Sequence, residues 1–154
     1  MKKDFTRDYT TAAFRLYAAM GQPTYEQARR RIYETELIKH SEDDPSIAIA
    51  QAEVAVNNNA PLLLDIMAAE KSIELLERGK KEYIVAAVKA VYFTDPDAPL
   101  RRGDISKRVR HHSLSCPTDE RTVYRWLKEA RLICAAIRGL RITAADSKKC
   151  HLVF

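Results

Sequence analysis

The chain is 154 residues long, 46% hydrophobic and 31% charged, with only 4 glycines and 6 prolines. This is the composition of a packed globular protein and excludes a disordered or low-complexity one. No stretch approaches the roughly 20 uncharged apolar residues needed to span a bilayer, and Met1-Lys2-Lys3-Asp4-Phe5 is not followed by a secretory apolar run, so a cytoplasmic protein without membrane contact is expected.

Cys116, Cys134 and Cys150 are odd in number and form no Cys-x-x-Cys pair, which suits a reducing compartment and excludes a disulfide framework. His111, His112 and Cys116, even with Cys150-His151, match no structural zinc spacing. Neither a metal nor another cofactor is expected.

The formal charge of +5 is unevenly divided. Residues 1–40 carry eight basic and five acidic side chains, and residues 41–79 carry two and eight. Residues 80–100 balance, whereas residues 101–141 hold eleven basic against four acidic side chains, a net of +7. A basic cluster of that size suits a polyphosphate backbone if the local fold presents it.

In chain order, the first expected helix is Asp8 to Met20, with Tyr9, Ala13, Leu16, Tyr17 and Met20 on one stripe and Gly21 as its stop. Thr24 opens a second, with Gln27 at capping-box spacing and Tyr25, Ala28 and Ile32 inward. Its triplet Arg29-Arg30-Arg31 points in different directions and is read as solvated. Asp44 and Pro45 start a third helix that Asn57-Asn58-Asn59 ends. Pro61 begins a fourth, with Leu63, Ile66, Met67, Ile73 and Leu76 inward, Glu70, Glu74 and Glu77 toward solvent, and Gly79 at its end. A fifth, Lys80 to Phe93, repeats apolar residues at Tyr83, Ile84, Ala87, Val88, Val91 and Tyr92 and is expected to be well buried.

After the break at 94–99, Ile105 and Val109 back a short helix whose other side carries Lys107, Arg108 and Arg110. Residues His111 to Thr118 read as a connector, and Thr118 or Asp119 caps a last helix reaching Ile137. Val123, Trp126, Leu127, Ala130, Cys134 and Ile137 form its inner face, with Trp126 as core anchor. Arg121, Arg125 and Lys128 form the outer face, flanked by Thr122 and Tyr124. Such a pair of helices is what the major groove of duplex DNA admits. Arg121 and Arg125 are placed to read bases, while Lys107, Arg108 and Lys128 hold phosphate. A short hairpin of Leu140-Arg141-Ile142-Thr143 with Leu152-Val153-Phe154 is the one strand expectation.

The stretch Thr122-Val123-Tyr124-Arg125-Trp126, preceded by Glu120-Arg121 and followed by an apolar run to Gly139-Leu140, resembles the recognition helix of phage-type transcriptional activators of the RinA and ArpU kind. The layout of residues 80–140 is similar to sigma-factor region 4. The resemblance implies a phage-derived regulator that binds duplex DNA through a helix-turn-helix. It departs from those families in the length of the connector at 111–118.

The expectation is therefore an all-α protein with an N-terminal helical bundle over residues 1–79 and a helix-turn-helix module over 80–154, acting as a sequence-specific transcriptional regulator. No Gly-rich phosphate loop, His-Glu-x-x-His pattern or nucleophile elbow argues for an enzyme. The rival reading is a protein-interaction module whose acidic middle helices bind a basic partner such as an RNA polymerase subunit. RNA binding lacks an exposed aromatic platform. A homo-oligomer is compatible with either reading.

Overall fold

The computed structural model describes residues 3–140, and these form seven helices and no strand: α1 (Phe5–Ala19), α2 (Tyr25–Lys39), α3 (Pro45–Asn58), α4 (Ala60–Arg78), α5 (Glu82–Tyr92), α6 (Asp104–Ser115) and α7 (Glu120–Arg138). The fold is all-α. The expected hairpin falls largely outside the described residues.

Most helix ends follow from local chemistry. The Thr24 hydroxyl accepts from the Gln27 amide while the Gln27 side chain accepts from the Thr24 amide, a complete capping box. Asp44 accepts from the Ser46 amide ahead of Pro45, and α7 ends on Gly139 in the left-handed region at φ 83. Two starts differ from the sequence reading by more than one residue. Asp4 caps α1 at Arg7, so the helix opens three residues earlier than the apolar stripe suggests. Lys80 takes a positive φ of 59 behind Gly79, which delays α5 to Glu82.

One apolar core crosses the Gly79–Lys80 junction. It joins Phe14 and Tyr17 of α1, Leu63, Ile66 and Leu76 of α4, Ile84, Val88 and Tyr92 of α5, Val109 of α6, and Val123, Leu127 and Cys134 of α7. The helix α7 packs against α1, α4, α5 and α6. The described residues of the expected 1–79 and 80–154 modules thus share one core. Phe14, fully buried and stacked on Tyr92 with centroids 6.0 Å apart, belongs to it although the sequence stripe passes over it.

Polar ties join the helices at fixed points. Asp65 on α4 accepts from the Tyr9 hydroxyl at 2.6 Å and from Arg138 Nε at 2.7 Å, linking α1, α4 and α7. Glu70, expected to mark solvent, instead accepts from the Tyr25 amide at 2.9 Å and so satisfies a free donor at the start of α2. The hairpin of α2 and α3 stands to one side, with Ala28, Ala48 and Ala52 as its buried residues.

Candidate nucleic-acid interface

The pair α6 and α7 is joined by residues 116–119, a shorter link than the sequence suggests. The expected connector began at His111, but α6 continues for another turn. Its reason is Ser113, which lies four residues after the fully buried Val109 on the same inner face and donates its hydroxyl to the Arg110 carbonyl at 2.7 Å. The serine bonds within the helix and so does not break it. Pro117 then prevents continuation, and Asp119 caps α7 by accepting from the Thr122 amide at 2.7 Å. Hydrogen bonds from the Thr122 side chain and then the Thr122 amide hold the Asp119 carboxyl below the usual aspartate range.

The first half of α7 carries the candidate contacts. Arg121, Tyr124, Arg125 and Lys128 are exposed, and Thr122 is half-buried. Arg125 lies 3.4 Å from the Thr122 hydroxyl. The stripe of Arg121, Arg125 and Lys128 runs on, at the same helical steps, to Leu132 and Ala135, and both of these are buried. One surface line of α7 thus passes from cationic and open to apolar and enclosed within a turn, leaving about 13 Å of helix between Glu120 and Lys128 open on that side.

The remaining expected residues separate into two groups. Lys107 and Arg110 are exposed on α6, and Arg110 reaches across the turn to pair with Glu120 at 3.2 Å. Arg108 is half-buried, and its guanidinium donates to the Val91 carbonyl at 3.0 Å, which joins α6 to the end of α5. Trp126 is a correction. It is half-buried at the rim of the core, edge-on to exposed Tyr83 with centroids 5.1 Å apart, because its position lies at the margin of the face that Val123, Leu127 and Ala130 define.

Arg101 and Arg102, exposed just ahead of α6, escaped the sequence reading of individual contacts although they lie in its basic segment. Gly103 turns the chain at φ 89 immediately after them. Their signal was present as two adjacent arginines beyond a proline-rich break.

The α5–α6 turn is held from beneath by Arg15. One of its terminal nitrogens donates to the carbonyls of Tyr92 and Thr94 at 3.0 and 3.1 Å, the other to those of Asp95 and Ala98 at 2.8 and 2.6 Å. Arg15 is buried, and that desolvation, with Arg108 nearby, lowers its pKa. Asp95, one of its partners, sits at φ 45. Sequence reasoning missed this residue because its partners are all backbone carbonyls, which leave no pattern in side-chain identity.

No family model, curated protein or solved structure matches this chain. No described helix is long and apolar enough to cross a membrane.

Proposed function

We propose that the protein is a sequence-specific duplex DNA-binding transcriptional regulator whose recognition helix is α7, of the phage-derived activator kind that the Arg121–Trp126 stretch resembles. The observation that carries this is the open stripe of Arg121, Arg125 and Lys128 on the first turns of α7, set four residues after a second helix that exposes Lys107 and Arg110. An α-helix fits the major groove, and side chains near its start reach base edges. The 13 Å of open helix suits about three to four base pairs per copy.

The acidic-surface alternative has less support, because three of its carboxylates already have internal partners. Asp65 serves Tyr9 and Arg138, Glu70 serves the α2 start, and Glu74 pairs with Lys71 and Arg78. Selection from random duplexes, followed by titration against duplex DNA and single-stranded RNA at two salt concentrations, tests the proposal. Enrichment of one sequence with salt-sensitive duplex affinity is expected. Failure to enrich any sequence, with RNA bound as well as duplex, contradicts it.

A further inference from the structure

Two carboxylates stand at the head of a helix face that is otherwise cationic. Asp119 and Glu120 open α7, ahead of Arg121, Arg125 and Lys128. Beside a polyphosphate backbone a carboxylate is repelled unless its charge is answered locally. Asp119 is taken up by the cap, where it accepts from the Thr122 amide at 2.7 Å. That cap is complete without Glu120, whose Oε1 instead meets Arg110 Nε of α6 at 3.2 Å. The pairing offsets the Glu120 charge and still leaves the carboxylate reachable, since the side chain is 49% exposed and Oε2 can accept from a second donor.

Placement matters as much as charge. At 3.6 residues per turn, Glu120, Tyr124, Lys128, Arg121 and Arg125 occupy one arc of about 140° on α7, and all five are exposed. Helical side chains lean toward the N-terminus of their own helix. Glu120, the first residue of α7, therefore extends toward the helix start. That is the end which a recognition helix brings to base edges.

We propose that Glu120 reads a cytosine in the target duplex by accepting a hydrogen bond from its 4-amino group, an inference that rests on α7 being the recognition helix. An ionised carboxylate only accepts, and the donors in the major groove are the amino groups of cytosine and adenine. Adenine carries the N7 acceptor beside its amino group and so repels the second carboxylate oxygen. Cytosine presents its donor with no acceptor alongside. The neighbouring Arg121 only donates and suits guanine, so the two adjacent side chains demand different bases. An acid at the first position of a helix is also favoured by the helix dipole, but that role alone is indifferent to DNA sequence.

Selection from random duplexes with the full chain, as wild type, Glu120→Ala and Glu120→Gln, tests this. The wild-type site is expected to hold one cytosine that Glu120→Ala no longer requires. In mobility-shift titration, changing that C·G pair to T·A should weaken the wild-type protein about tenfold and Glu120→Ala less than about twofold. Glu120→Gln, which keeps the size of the side chain, should admit adenine at the same position, because an amide both donates to N7 and accepts from the amino group. Affinity for random duplex should not fall in either variant, since each removes a negative charge. A wild-type site whose base preferences all persist in both variants overturns the inference and leaves the DNA reading standing, with Glu120 confined to the dipole and Arg110. Failure of the wild-type protein to enrich any sequence overturns the DNA reading and this inference with it.

Discussion

The Arg108 guanidinium donates to the Val91 carbonyl at 3.0 Å, tying the first helix of the α6–α7 pair to the last turn of α5. Arg15 donates to the Tyr92 carbonyl at the same helix end, and Arg131 of α7 donates to the hydroxyl at the tip of the Tyr92 side chain at 2.7 Å. The end of a helix presents free carbonyls and a partial negative charge, which cations stabilise. The α5 terminus therefore fixes α1 and α6 through its carbonyls, while α7 is tied to α5 through the Tyr92 side chain.

Arg108→Ala is expected to act on stability more than on DNA. Loss of one charge-assisted bond to a helix end should cost about 1 to 2 kcal/mol. Denaturant unfolding would register that loss, while the salt slope of duplex binding should stay near the wild-type value. A reduced slope with unchanged stability would keep Arg108 in the phosphate-binding set.

Arg15→Met should be more damaging, because it removes four hydrogen bonds at once and leaves their carbonyls in a partly buried turn. A loss of about 3 kcal/mol or more is expected. Hydrogen exchange should localise it, with faster exchange at the end of α5 and the start of α6 than in α2. Uniform acceleration across α2 and α6 would contradict a local role.

How far the sequence spoke for itself depended on how local each cause was. Thr24 with Gln27, Asp44 with Pro45, and the stop at Gly79 are short-range features, and each stands where residue type and spacing put it. Phe14, Arg15 and Glu70 were hidden because their partners, Tyr92, the α5–α6 turn and the Tyr25 amide, are distant in sequence. Ser113 misled by residue type, since serine is common in connectors yet here bonds inside a helix. The outer stripe of α7 was legible as far as Lys128. That it turns inward at Leu132 depends on how the other helices pack around α7, which periodicity alone does not reveal.

Alkaline pH should destabilise the protein. Burial raises the Cys134 thiol from 9.0 to about 12, against a smaller lowering by its hydrogen bond with Ser72. Tyr17 is raised chiefly by burial, and Tyr9 chiefly by its bond to Asp65. In each case the folded state holds the proton more tightly than the unfolded chain. The contribution is complete below pH about 9 and is lost as pH rises toward about 12, because only the unfolded state ionises in that window. Unfolding measured at a series of pH values should show this decline, and Cys134→Ala should flatten it in part. In the native protein a thiol reagent should label half-buried Cys116 well before Cys134. Constant stability across the window would contradict the assignment.

The outer stripe of α7 gives the sharpest separation of roles. Arg121 and Arg125 lie within the first two turns, just after the Asp119 cap, where a helix entering the major groove brings side chains to base edges. Lys107 is on the partner helix, and Lys128 lies where the open part of α7 ends, so both suit the flanking backbone. Arg121→Ala or Arg125→Ala should weaken binding to the selected site by about 1 to 3 kcal/mol while sparing other duplexes. Lys107→Ala or Lys128→Ala should weaken all duplexes alike, and removing one phosphate-neutralising side chain should reduce the salt slope by about one unit. The short link at 116–119 makes this ordering firmer than the longer connector would have, since it keeps the start of α7 close to α6. Asp119→Ala provides an independent check on placement. It removes the cap without removing a basic side chain, so it should loosen the first turn in hydrogen exchange and weaken the selected site more than random duplex. Mobility-shift titration of each variant at two salt concentrations reads both quantities. Equal losses on selected and random duplex for Arg121→Ala and Arg125→Ala would move those arginines to the backbone, and wild-type affinity in every variant would remove α7 from the interface altogether.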